Sequence, residues 1–201
     1  MRLPREAHTE RPWRIHEIAP DFRVEDVWAL PTPGGRGELP RLVSTIFSNS
    51  FPEGAPRLVQ FLWAARWKVG AVFGWDRDDA GLGVRATSLR ERIPADIRDW
   101  ALVGESGQDL FTPLYLLENE WAAELANRTV HAVLHLGWVP DESGAYHGQL
   151  AVLVKPNGLF GKAYMAAIKP FRHLFVYPAL LRGIERSWHP GRPGHSEIRG
   201  Q

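Results

Sequence analysis

FTPLYLLENEWAAELANRTVHAVLHLGWVPDESGAYHGQLAVLVKPNGLFGKAYMAAIKPFRHLFVYPALLRGIERSW, residues 111–188, decides the architecture of this 201-residue chain. Four apolar-rich runs, at 111–118, 120–127, 129–138 and 146–154, precede one long apolar-faced segment at 158–187. Short runs that alternate in polarity are strands, and the short connections between them force antiparallel pairing, because parallel neighbours need long crossovers. Pro140-Asp-Glu-Ser-Gly-Ala145 has the residue chemistry that reverses a hairpin, and Gly104-Glu-Ser-Gly-Gln-Asp109 reads as a second turn. The fold class that follows is α+β, an antiparallel meander closed by a C-terminal helix. Phe160, Tyr164, Ala167, Phe171, Leu174, Pro178 and Leu181 recur at spacings of three and four, which predicts that they form the buried stripe of that helix. Pro170 and Pro178 each remove a backbone donor, so kinks are expected there.

Upstream, Phe22, Val24, Asp26, Trp28 and Leu30 alternate with Arg23, Glu25, Val27 and Ala29 as a half-buried strand does. A Pro/Gly loop at 31–37 separates it from Leu39, Leu42, Val43, Ile46 and Phe47, which share one helical face. A second helix is expected at 57–75. Its apolar residues occupy two sides, which suits burial between sheet and helix or the contact of a homodimer. A short helical stretch is expected after Ser88, interrupted at Ile93-Pro94. Residues 13–188 read as one domain, with 1–12 and 189–201 as flexible tails.

Composition excludes several classes. With 24 Lys+Arg against 23 Asp+Glu, the chain lacks the charge excess that holds a polyanion, so no nucleic-acid partner is expected. There is no Cys, which removes disulfides, thiolate metal sites and Cys nucleophiles, and leans the expectation towards the cytoplasm. The N-terminus has no apolar core of the signal-peptide kind, and charges interrupt the longest apolar tract, so no membrane span is expected. Nine Trp is the unusual number. Rings of that size either fill a core or line a pocket for a flat, apolar guest.

The blocks Tyr115–Trp138 and Asn157–Ile184 resemble the bacterial domain-of-unknown-function family 2867, with the likeness running from about Trp13 to Trp188. The resemblance implies a helix-grip fold of the polyketide-cyclase, lipid-transfer and plant-allergen kind, in which an antiparallel sheet wraps around the long C-terminal helix and leaves a cavity. It implies no activity, because the family has no common one.

A guest in such a cavity would be a hydrophobic or aromatic small molecule, and Tyr115, Trp121, His135, Trp138, Tyr164 and Phe171 are the candidates to contact it. On the 129–138 strand, His131, Val133 and His135 share one face and Val130, Ala132, Leu134 and Leu136 the other. Two His four residues apart on a strand are ~13 Å apart and cannot ligate one metal, so neither a metal nor another cofactor is expected. Glu118 and Glu120 share a face of their own strand. A Glu in apolar surroundings has its pKa raised into the range useful for acid–base work, which makes Glu118, Glu120 and His131 the candidate catalytic groups. The same alternation also describes the water-facing side of any antiparallel sheet. Arg172 and His173 read as a solvated face near a kink. Two functions remain open: a cofactor-free cyclase, dehydratase or isomerase, and a non-catalytic carrier.

Overall fold

The computed structural model describes residues 1–48, 87–100, 111–126 and 130–188. The helix expected at 57–75, the turn at 104–109 and the tail from 189 lie outside the described residues. Strands β3 (Thr112–Leu116), β4 (Glu120–Ala126), β5 (Val130–Pro140) and β6 (Tyr146–Pro156) form the expected meander. Strand β2 (Arg23–Ala29) pairs with β6, and β1 (Arg2–Leu3) pairs with β2. Among the described residues this makes one open, six-stranded antiparallel sheet in the order β1-β2-β6-β5-β4-β3. The β5–β6 turn forms because Asp141 Oδ1 accepts from the Ser143 and Ala145 N–H at 2.8 and 3.1 Å, while Gly144 takes a φ of +81° that a side chain would resist.

Each face of the sheet carries its own apolar layer. On the first, Val133, Ala151 and Leu153 pack against Trp13, Ile15, Ile18, Leu89, Ile93 and Ile97. Ile15 and Ile18 belong to α2 (Ile15–Ile18), Leu89 and Ile97 to two short 3₁₀ segments, Leu89–Arg92 and Ala95–Trp100, and Ile93 to the link between them. Ser88 caps the first segment by accepting from the Arg90 N–H at 3.2 Å, and Ile93-Pro94 separates the two, as the sequence predicts. On the second face, Trp121, Leu136 and Leu150 meet Leu39 and Leu42 of helix α3 (Leu39–Ser48), with Tyr177 and Ile184 from the end of the chain.

Strand β2 serves both faces. Val24 pairs with Leu153 and Asp26 with Val152, so Glu25 is an extra residue in a bulge. Val24 and Val27 therefore join the first layer, whereas Trp28 joins the second and Asp26 bonds to residues of the terminal helix.

Two expectations are corrected. Residues 1–12 are not a loose arm: β1 adds to the sheet, and His8 on α1 (Glu6–Thr9) is fully buried. The segment is too short for periodicity to reveal it, and long-range contacts hold it. The terminal helix exists but turns differently. It consists of α4 (Gly158–Phe171), a π-helical turn Arg172–Val176, and α5 (Tyr177–Ser187). Leu174 is 68% exposed, Ala167 is exposed and Phe171 is half-buried, while Met165, Tyr177, Ala179 and Ile184 are buried. The side chains of Phe160 and Tyr164 lie outside the described residues. Met165 and Ile168 meet the sheet one residue later than the expected stripe. The π turn, which follows the donor lost at Pro170, then inserts an extra residue and shifts the phase again.

Ile184→Ala is accordingly expected to cost ~2–5 kcal/mol in a denaturant titration, and Leu174→Ala no more than ~0.5 kcal/mol. The opposite ranking would mean that the helix packs through its other face.

Candidate functional site

Strand pairing brings buried acids and imidazoles together on the first face. Register places Ala122 opposite His135 and Ala126 opposite His131, so on that side of the sheet Glu124 lies between the two imidazoles and Glu120 on the far side of His135. His135 Nε2 is 2.9 Å from Glu120 Oε2, and His131 Nε2 is 2.8 Å from Glu124 Oε2. All four residues are buried.

The Glu120 carboxylate also accepts from the Arg14 backbone N–H at 2.9 and 3.1 Å and from the Tyr115 hydroxyl at 3.4 Å. Behind it, His135 Nδ1 lies 3.1 Å from His8 Nε2. Burial lowers the His135 pKa against the opposing pull of Glu120, and burial together with the neighbouring imidazoles takes His8 down to about 2. Both rings are neutral, and the carboxylate fixes the proton order: His8 Nε2–H donates to His135 Nδ1, and His135 Nε2–H donates to Glu120. Burial, reinforced by the Glu120 charge, pushes the Tyr115 phenol well above its usual value, so it too is a donor. For Glu124, burial pushes the pKa up, but hydrogen bonds from His131, the Ser88 hydroxyl and the Leu89 N–H outweigh it and leave the carboxyl below its usual value. These carboxylates are saturated by partners that tie residues 8–14 and 88–89 to the sheet. That is a structural arrangement.

The sequence-derived candidates thus separate. Glu120, His131, His135 and Tyr115 are brought to the buried first face, but His131 pairs with Glu124, and Glu120 pairs with His135. Glu118 is exposed and ion-paired with Arg36 at 3.0 Å. Trp138 is buried at the end of the sheet, where its Nε1 donates to the Gly35 carbonyl at 2.9 Å, and Trp121 is buried in the second apolar layer. Phe171 is half-buried against Phe175, with ring centroids 5.5 Å apart.

A different cluster is open to chemistry, on the second face beneath the terminal helix. The bulge turns Asp26 towards the π turn, and its carboxylate is fully buried. Oδ1 accepts from His173 Nε2 at 2.6 Å, Oδ2 accepts from the Tyr177 hydroxyl at 2.8 Å, and Arg172 Nη2 stands 3.2 Å from Oδ2. Burial, then the Asp26 charge, pushes the Tyr177 phenol well above its ordinary range, so it stays protonated and donating. Trp28 lies against Tyr177 with centroids 4.9 Å apart. The His173 side chain is 19% exposed. Its Nε2 is committed to Asp26, and its Nδ1 has no hydrogen-bond partner among the described residues. The Arg172 side chain is 14% exposed, and apart from the contact of Nη2 with Asp26 its Nε and Nη2 meet no acceptor among the described residues.

Arg172 and His173 are therefore not the solvated face expected of them. The sequence holds one signal for this: no Asp or Glu occurs from 143 to 184, so a buried Arg or His there must find its acid elsewhere in the chain. Among the described residues, no three His, Cys, Asp or Glu side chains are grouped to hold a metal ion. No helix of the described residues is long and apolar enough to cross a membrane.

A family model described as "Protein of unknown function (DUF2867)" matches residues 18–179, a span that includes all four members of the Asp26 cluster. No curated protein and no solved structure matches the chain.

Proposed function

We propose, since the chain belongs to the DUF2867 family and that family's description supplies no activity, that it is a cofactor-independent acid–base enzyme of the isomerase, dehydratase or cyclase type. Its substrate is an apolar or aromatic small molecule with an enolisable carbonyl, taken up between the second face of the sheet and the terminal helix in a helix-grip manner. The observation that carries the reading is a buried carboxylate holding an imidazole and a guanidinium from one π turn and the phenol of the residue that follows it, with the imidazole's other nitrogen unused. π-helical turns recur at functional sites because the wider turn re-aims side chains that an α-helix would hide.

In this reading His173 Nδ1 takes a proton from the carbon next to the carbonyl. The C–H electron pair moves into the new C=C bond, and the carbonyl oxygen becomes an enolate oxygen that Arg172 stabilises. Asp26 and Tyr177 are positioning residues: the carboxylate fixes the imidazole tautomer and stabilises the imidazolium, and the phenol fixes the carboxylate. The proton then returns from Nδ1 to another carbon, or to a leaving oxygen in a dehydration.

The test is hydrogen exchange in D₂O. A panel of enolisable aryl ketones and cyclohexenones is incubated with the protein, and deuterium incorporation is followed by NMR. The wild type is expected to accelerate exchange, and His173→Gln to lose roughly 10²-fold or more of that rate with ligand affinity changed only a few-fold. Equal rates in both proteins would reject the assignment. Binding without exchange in the wild type would establish the carrier reading in its place.

A further inference from the structure

We infer that the outward face of α4 and of the π turn after it docks on an anionic lipid surface, lying in the plane of the membrane and not across it. Leu159, Ala163, Ala166, Pro170 and Leu174 follow one another three or four residues apart, and all five are exposed. Met165 and Ile168, on the other side of the same helix, meet the sheet. The helix is thus apolar on both sides, and one of those sides faces water.

Exposure is greatest where the side chains are large. Leu159 is 82% and Leu174 68% exposed, at the two ends of a stripe ~22 Å long, and Phe175 beside Leu174 is exposed as well. A helix with apolar residues all round is ordinarily buried, so this face is built to be covered.

Charge selects the cover. The only charged residues of α4 are Lys162 and Lys169, which fall about two helical turns apart along one border of the stripe. Lys169 is exposed and has no carboxylate partner among the described residues. No Asp or Glu occurs from 143 to 184 to supply one, and Asp26 beneath the π turn is taken by Arg172, His173 and Tyr177. An apolar stripe whose only charges are lysines suits a helix at an anionic membrane interface, with Leu and Phe side chains among the acyl chains and ammonium groups at the headgroups. A second copy of the chain would instead set lysine-edged face against lysine-edged face across a two-fold axis, which opposes self-association there.

The probes are vesicles of phosphatidylcholine alone and of an equal mixture of phosphatidylcholine and phosphatidylglycerol, floated with the full chain. The mixed vesicles are expected to carry the protein and the neutral ones to carry at least ~10-fold less, with Lys169→Gln weakening binding to the mixed vesicles roughly 5-fold. Leu159→Asp should weaken it ~10-fold or more. That substitution puts an acid in the first turn of α4, which favours the helix, so the fold is expected to survive, and Leu174→Asp should repeat the loss at the other end of the stripe. Equal binding to both kinds of vesicle, binding to neither, or wild-type binding by Leu159→Asp would each overturn the inference. So would a dimer that Leu159→Asp dissolves, which would make a second copy the cover, or a lowered unfolding midpoint in that variant, which would place the cover within the chain itself.

Discussion

Glu120→Ala is expected to destabilise the fold by ~4 kcal/mol or more, a large part of the stability of an ordinary domain. The carboxylate accepts from the Arg14 N–H, from His135 Nε2 and from the Tyr115 hydroxyl, and alanine leaves all three donors without an acceptor. An unmet buried donor costs ~1–3 kcal/mol, and the cavity adds to the sum. Glu120→Gln should cost much less, about 1–2 kcal/mol. Its oxygen still serves Arg14, and its amide can donate to His135 Nε2 once both imidazoles exchange tautomers, which leaves one unmet donor, His8 Nδ1–H, in place of the three that alanine leaves. Denaturant titrations of the two variants check this, and an alanine variant as stable as the glutamine one would show that the network holds nothing together.

Acid is expected to weaken the protein through the same network. His8 falls from 6.5 in the unfolded chain to about 2 in the folded one, and burial lowers His135 as well. Between those values the unfolded chain binds protons that the folded chain does not, so stability rises with pH across this window and is lost as pH falls below 6.5. His8 alone accounts for roughly 2 kcal/mol between pH 7 and pH 5. Proton entry is opposed locally too, because His8 Nδ1 is buried with no partner and would become a donor with nothing to receive it. Denaturant titrations at the two pH values should show the loss, and His8→Gln, which keeps a donor for His135 without titrating, should remove the part due to His8. An unchanged pH slope in that variant would assign the acid sensitivity to other groups.

How far the sequence could be read depended on how local each signal is. The β5–β6 hairpin is written in Asp141, Ser143 and Gly144, and strand parity placed His131 and His135 on one face. Their partners were less legible. Register across the β3–β4 turn sets which carboxylate meets which imidazole, and parity alone could not separate Glu118 from Glu124. The N-terminal segment escaped notice because four-residue helices carry no periodicity, and a buried His8 makes sense only beside His135. Asp26 was hidden by the bulge, since strict alternation grouped it with Val24, and His173 by a π turn that breaks the 3.6-residue period. In both places a single extra residue redirected the chemistry.

That extra residue in β2 makes the middle of a strand behave like a joint. Glu25 stands outside the pairing ladder, with Val24 and Asp26 already opposite consecutive residues of β6. Its deletion would close the ladder and leave each neighbour facing its present side, whereas removing Val27 would turn the strand's remaining residues over. Length variation, which chains ordinarily confine to loops, is thus admissible at one position inside this sheet, and a Glu25 deletion mutant should fold with the Asp26–His173 bond intact.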